Sequence, residues 1–106
     1  MSAGDRLYAA RGASLGLDGA GFEIQLASAT GLEAIDITAD VKRFYVWGGS
    51  ASFLVRQLHP RESFKVDTPN ARVIFERPGE YRIDIDSRGR TNVVVDRGAA
   101  SVSARA

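Results

Sequence analysis

Residues 81–86 read Tyr81-Arg82-Ile83-Asp84-Ile85-Asp86, and this stretch decides the fold class. Successive side chains of an extended chain point to opposite faces, so Tyr81, Ile83 and Ile85 share one face and the charged residues share the other. That is a half-buried strand. The same period of two recurs on both sides of it. Phe22, Ile24 and Leu26 alternate with Glu23 and Gln25, and Phe64 and Val66 alternate with Lys65 and Asp67. Thr91 to Asp96 contains Val93-Val94-Val95, a β-branched run that suits a pleated surface better than a helix. The one helical rival, residues 26–37, clusters alanines. It is interrupted by Ser28-Ala29-Thr30-Gly31 and ends in the alternation Leu32-Glu33-Ala34-Ile35-Asp36-Ile37, so it reads as a loop followed by a strand.

Turn signals separate these runs. Asp18-Gly19-Ala20-Gly21, Trp47-Gly48-Gly49-Ser50, Thr68-Pro69-Asn70, Arg77-Pro78-Gly79-Glu80, Asp86-Ser87-Arg88-Gly89 and Arg97-Gly98 all read as turns. Glycine admits positive φ, and proline presets the first turn residue while withholding a donor from any ladder. Thr68-Pro69-Asn70 reads as a chain reversal with Pro69 at a donor-free corner; Pro78-Gly79 reads as a second reversal that feeds the Tyr81 strand. Alternating strands with turns every 8–12 residues predict an all-β fold, a single-domain twisted sandwich or roll of about ten short strands. Only the first few and last few residues are expected to fray.

Composition agrees with one small globular domain. The chain has 106 residues, 44% hydrophobic and 25% charged, with 11 glycines and 3 prolines. Without cysteine it has no disulfide, thiolate ligand or thiol nucleophile. Its 14 basic and 13 acidic residues leave a net charge of +1, which demands no acidic partner. No apolar run approaches the 18 residues of a membrane span, and Met1-Ser2-Ala3-Gly4 does not open a secretory leader.

Little in the sequence points to catalysis. The single histidine, His59, precedes Pro60, and no serine sits in a nucleophile elbow. Asp84-Ile85-Asp86-Ser87-Arg88-Gly89 opens like a calcium loop, but Arg88 takes the third ligand position and Val95 stands where the bidentate glutamate belongs. The expected role is an outward charged face with cross-strand partners such as Arg82. The glycines at 12–21 lack the lysine and the strand–helix setting of a phosphate loop. No catalytic residue, metal or cofactor is therefore expected, and the chain reads as a non-enzyme. Lys42-Arg43-Phe44-Tyr45-Val46-Trp47 is the exception that invites a function. If Phe44 and Val46 face the core, Tyr45 and Trp47 face outward, where two large aromatics form a sticky patch. They are then either covered within the chain or available to a partner. Nucleic acid is disfavoured by the near-zero charge.

The stretch from Glu62 to Ala104 resembles the FecR-like family of secreted bacterial proteins, whose pattern runs "VDTPN", a short strand, "PGxYRIDID", a polar turn and "TxVxVxxG". Phe64 to Asn70, Pro78 to Arg82 and Thr91 to Gly98 match it closely, and residues 4–14 and 21–37 are similar to its opening segments. The resemblance covers residues 5–103 as one domain. It implies a β-rich module, rolled or β-solenoid-like, in the periplasm or secreted, binding a protein partner or itself through sheet edges or the Tyr45 and Trp47 face. A module for carbohydrate or cell-wall polymer is the alternative. The regulators that name the family pass a signal from an outer-membrane receptor to a sigma factor. This chain shows neither their membrane segment nor their sigma-binding region, so that role does not carry over.

Overall fold

The computed structural model describes residues 4–12, 15–19 and 21–104, and every regular element in them is a β-strand. In chain order these are β1 (Arg6–Ala9), β2 (Leu15–Gly19), β3 (Phe22–Leu26), β4 (Thr30–Ile37), β5 (Val41–Val55), β6 (Ser63–Asp67), β7 (Ala71–Phe75), β8 (Gly79–Ile85), β9 (Thr91–Arg97) and β10 (Ala100–Ala104). All ten join one sheet that doubles over into two leaves without closing into a barrel. The first leaf runs β1-β4-β5-β6-β7-β10 and the second β2-β3-β5-β8-β9. The neighbours are antiparallel apart from β5 and β6, which run parallel, so the chain is a folded sheet and not a stack of solenoid coils.

Apolar alternation sets which face each leaf buries. Phe44, Val46, Phe64, Val66, Val73 and Phe75 come from the first leaf; Phe22, Ile24, Phe53, Tyr81 and Ile83 come from the second. Their rings interlock across the gap. Phe22 meets Phe64 edge-on at 5.4 Å, and Phe75 stacks on Tyr81 at 3.9 Å and 10°. Aromatic pairs of this kind add about 0.5–1.5 kcal/mol each beyond the area they bury.

The leaves are joined at two corners on opposite ends of the strands. At one, β5 passes straight through. Trp47-Gly48-Gly49-Ser50 is therefore not a turn: it is a bend inside a single 15-residue strand. The inward side chains switch there from Phe44 and Val46 to Ala51, Phe53 and Val55, from even positions to odd. Gly49 makes this possible with φ +83°, a value that strains any residue carrying a Cβ. Thr30 fastens the bend, its hydroxyl accepting from the Ser50 amide at 2.9 Å and donating to the Ser50 carbonyl at 3.1 Å. Strands β3 and β4 bend alongside, so the pair β3–β4 and β5 form one long hairpin folded over itself.

The second corner carries β7 into β8 and β9 into β10. Pro78-Gly79 and Arg97-Gly98 turn the chain back, though not as hairpins within one leaf; each hands it from one leaf to the other, and Gly79 already opens β8. Here the Tyr81 hydroxyl donates to the Arg77 carbonyl at 2.5 Å and accepts from the Ala99 amide at 3.1 Å. A Cβ on Gly98 would overlap that hydroxyl, and one on Gly79 would overlap the Arg97 carbonyl.

The remaining turns fall where the sequence places them. Thr68-Pro69-Asn70 links β6 to β7, with the Thr68 hydroxyl accepting from the Ala71 amide at 3.0 Å. The same hydroxyl lies 2.7 Å from that of Thr91, which also donates to Asn70 Oδ1 at 2.6 Å. The β6–β7 turn of one leaf is thereby latched to the first residue of β9 in the other. Asp86 closes the β8–β9 hairpin by accepting from the Arg88 and Arg90 amides, both at 2.9 Å. Asp18 and Gly19 end β2, while Ala20 of that expected turn lies outside the described residues, as do residues 1–3 and 105–106, where fraying is expected.

Candidate interaction face on the first leaf

The outer face of the first leaf is ordered by its register. Arg6, Glu33, Tyr45, Asp67, Arg72 and Ser103 lie opposite one another in a single row across six strands. Neighbours in this row are about 5 Å apart, so their side chains interact as cross-strand pairs. Arg6 pairs with Glu33 at 3.1 Å. Asp67 is the centre of the row. Arg43 donates to it at 2.8 Å and 3.0 Å, and Arg72 at 2.8 Å and 3.4 Å. Burial alone pushes the Asp67 carboxyl up, but the hydrogen bonds and charges of Arg72 and Arg43 outweigh it and hold the group below its ordinary value.

Two residues along β5 from Tyr45, Trp47 lies across Gly31 of β4, where a Cβ would overlap the indole. Glycine at 31 thus makes the seat for the ring. The Tyr45 and Trp47 rings are 6.3 Å apart and inclined at 35°. Trp47 remains 37% exposed, and Tyr8, opposite Gly31 on β1, is 57% exposed. The structure therefore places both sequence-selected aromatics outside the core, with Tyr45 half-buried, and adds Tyr8 to them. Periodicity could not find Tyr8, because β1 is four residues long and joins the patch only through the β1–β4 register.

The other candidates are dispersed. His59 is exposed in the β5–β6 loop, where its backbone carbonyl accepts from the Glu62 amide at 2.9 Å. Asp84 accepts from Ser50 Oγ at 2.5 Å and from Arg82 at 3.1 Å. Arg82 is thus its partner along one strand, two residues away, and not across strands. Asp86 is committed to its hairpin. Among the described residues no three of His, Asp or Glu converge as metal ligands, and no helix is long and apolar enough to cross a membrane.

Sequence reasoning missed the Lys42–Glu62 pair at the end of the sandwich away from Trp47. Lys42 points inward from β5, and its ammonium meets Glu62 at 2.8 Å and the Ala39 carbonyl at 2.9 Å. Burial raises the Glu62 carboxyl, but the hydrogen bonds from Lys42 and the His59 amide, with the charge of Lys42, outweigh it and hold the group below its ordinary value. The charge of Lys42 in the strand "VKRF" gives no sign of which face it takes.

No protein-family model matches this sequence, and no curated protein matches it. Similar folds occur among solved structures. Two crystal structures from Parabacteroides distasonis, each named "putative anti-sigma factor", superpose with TM-scores of 0.81 and 0.80 at 18% and 17% identity. Both alignments cover 94% of this chain and 47% of the other, so this chain spans about half the length of those proteins. At that identity the likeness establishes a shared fold: the chain has the doubled-over β architecture found within those two proteins.

Proposed function

We propose that this chain is a non-catalytic interaction module that takes a protein partner on the outer face of its first leaf, around Tyr8, Tyr45 and Trp47. The observation that carries the reading is the exposed Trp47 indole, seated on Gly31 beside a fixed row of charges. A rigid aromatic anchor with a polar rim is the arrangement that concentrates binding energy in protein interfaces. Arg6, Arg43, Lys65 and Arg72 share this face with Glu33, Asp36, Asp67 and Glu76, so the fitting partner offers an apolar knob with a rim of both signs. The fold shared with proteins named as anti-sigma factors supports a regulatory module over an enzyme. The FecR-like pattern of residues 62–104 supports an envelope protein, periplasmic or secreted.

The test uses the tryptophan itself, since the chain has one. A purified protein recovered from an envelope fraction should shift Trp47 emission on titration. The variant carrying Tyr45→Ser and Trp47→Ser, with an unchanged melting profile, should lose at least tenfold in affinity for it. Equal affinity in that variant overturns the proposal. So does an emission change produced by peptidoglycan or polysaccharide and by no protein, which would give the face to a sugar polymer.

A further inference from the structure

The two open sides of the sandwich are guarded differently. On one side β1 carries Arg6 and β2 carries Asp18 between glycines. On the other, β9 carries Asp96 and Arg97 and a bulge against Glu80 and Tyr81, but β10 is Ala100-Ser101-Val102-Ser103-Ala104, with no charge, no proline and no bulge. Natural edge strands normally carry one of these devices, because an unprotected edge invites another strand. The core is also uncovered there. Val102 faces inward opposite Val73 and Val95 inward opposite Tyr81, yet they are 55% and 41% exposed.

The hydrogen-bonding phase of β10 is fixed by the bond from the Glu76 amide to the Ala99 carbonyl at 2.8 Å. Alternation along an antiparallel ladder then points the amides and carbonyls of Ser101 and Ser103 toward β7, and those of Ala100, Val102 and Ala104 away from it. The edge presents three outward donor–acceptor sets, and its sequence reads the same in both directions.

From this we infer that β10 pairs antiparallel with β10 of a second copy of this chain, about a twofold axis through Val102. Each residue then meets its like or its equal: Val102 faces Val102 of the second copy, Ala100 faces Ala104, and Ser101 faces Ser103. The flanks also agree. Glu76, which accepts from Ser101, lies at one end of β10 and Arg72 at the other, so the axis brings Glu76 of each copy toward Arg72 of the other. The first leaf becomes a continuous sheet running through both copies, and the exposed Val102 side chains pack on each other. An isologous pairing of this kind closes at two copies and does not grow. With five residues a side it belongs among small interfaces, under about 1,200 Å², so association is reversible and follows concentration.

This inference rests on reading the chain as an interaction module, and its test separates the two surfaces. Sedimentation equilibrium should show a monomer–dimer exchange whose dimer fraction rises with protein concentration. Val102→Lys places two ammonium groups on the axis and should sediment as a monomer with an unchanged circular dichroism spectrum. The Tyr45→Ser, Trp47→Ser variant should dimerise as the parent does. Because the chain has no cysteine, Val102→Cys tests the geometry directly. Opposed residues of a hydrogen-bonded pair have Cα atoms about 5.5 Å apart, within disulfide reach. That variant should oxidise to one cross-linked dimer, while Ser52→Cys, exposed on the second leaf, should cross-link at least tenfold more slowly. A parent chain that stays monomeric at every concentration, a dimer that survives Val102→Lys, or equal cross-linking at positions 52 and 102 overturns the proposal.

Discussion

The two corners do the same work with different means. At Gly48-Gly49 one strand crosses between leaves on backbone freedom, fastened by the Thr30 hydroxyl. At the other corner two strands cross together, and the Tyr81 hydroxyl ties Arg77 to Ala99. The first corner is a demand on φ at one residue; the second also has a positive φ, at Gly98, but adds a hydrogen-bonded tie between two side-by-side crossings. A demand on φ tolerates almost no substitution, whereas a lost hydrogen bond leaves the backbone path intact. The sharpest way to break the comparison is Gly49→Val. It requires φ near +83° from a β-branched residue and sets its Cβ against Thr30 and the Ala29 carbonyl. We expect a loss of about 3 kcal/mol or more, read as a fall in melting temperature of more than about 12 °C.

The next effect lies beside the first corner, on the row that includes Tyr45. Asp67→Asn removes the carboxylate shared by Arg43 and Arg72 and should cost about 2 kcal/mol at neutral pH, since both arginines are partly solvated. The folded Asp67 titrates below its unfolded value, so its contribution is complete above about pH 4 and is lost as the pH falls through the folded pKa. The gap between parent and variant in urea midpoints should therefore narrow as the solution is acidified below about pH 4. A gap of constant size would mean that Asp67 acts through packing alone.

Tyr81→Phe gives the smallest change. The ring keeps its stack on Phe75, and only the hydroxyl is lost, leaving the Ala99 amide and Arg77 carbonyl to water at a partly exposed corner. We expect about 1 kcal/mol, a few degrees in the melt. A loss as large as that of Gly49→Val would show that the second corner depends on Tyr81 as strictly as the first depends on Gly49.

How much of this was legible in the sequence follows the same division. Alternation found the strands around Tyr81, Phe22 and Phe64, because one face of each is buried and period two records burial; β9 was legible through its β-branched run Val93-Val94-Val95. It could not distinguish a reversal from a bend. Trp47-Gly48-Gly49-Ser50 and Asp86-Ser87-Arg88-Gly89 look alike locally; only the continued pairing of β5 with β3 and β4 separates them, and pairing is a property of distant residues. For the candidate face, the outward placement of Tyr45 and Trp47 could be read from Phe44 and Val46. The seat on Gly31, the contribution of Tyr8 and the buried Asp67 between two arginines could not, since each depends on register across strands.

Strand β5 has one more consequence. It is the strand common to both leaves, so no boundary between separately unfolding units can be drawn without cutting through its backbone. Opening of either leaf must pull on amides that the other leaf protects. Side-chain packing between two sheets can slip and reform, but a shared strand conveys a displacement covalently. A partner that grips Trp47 on the first leaf therefore holds, through eight further residues of the same strand, the edge of Val55 in the second.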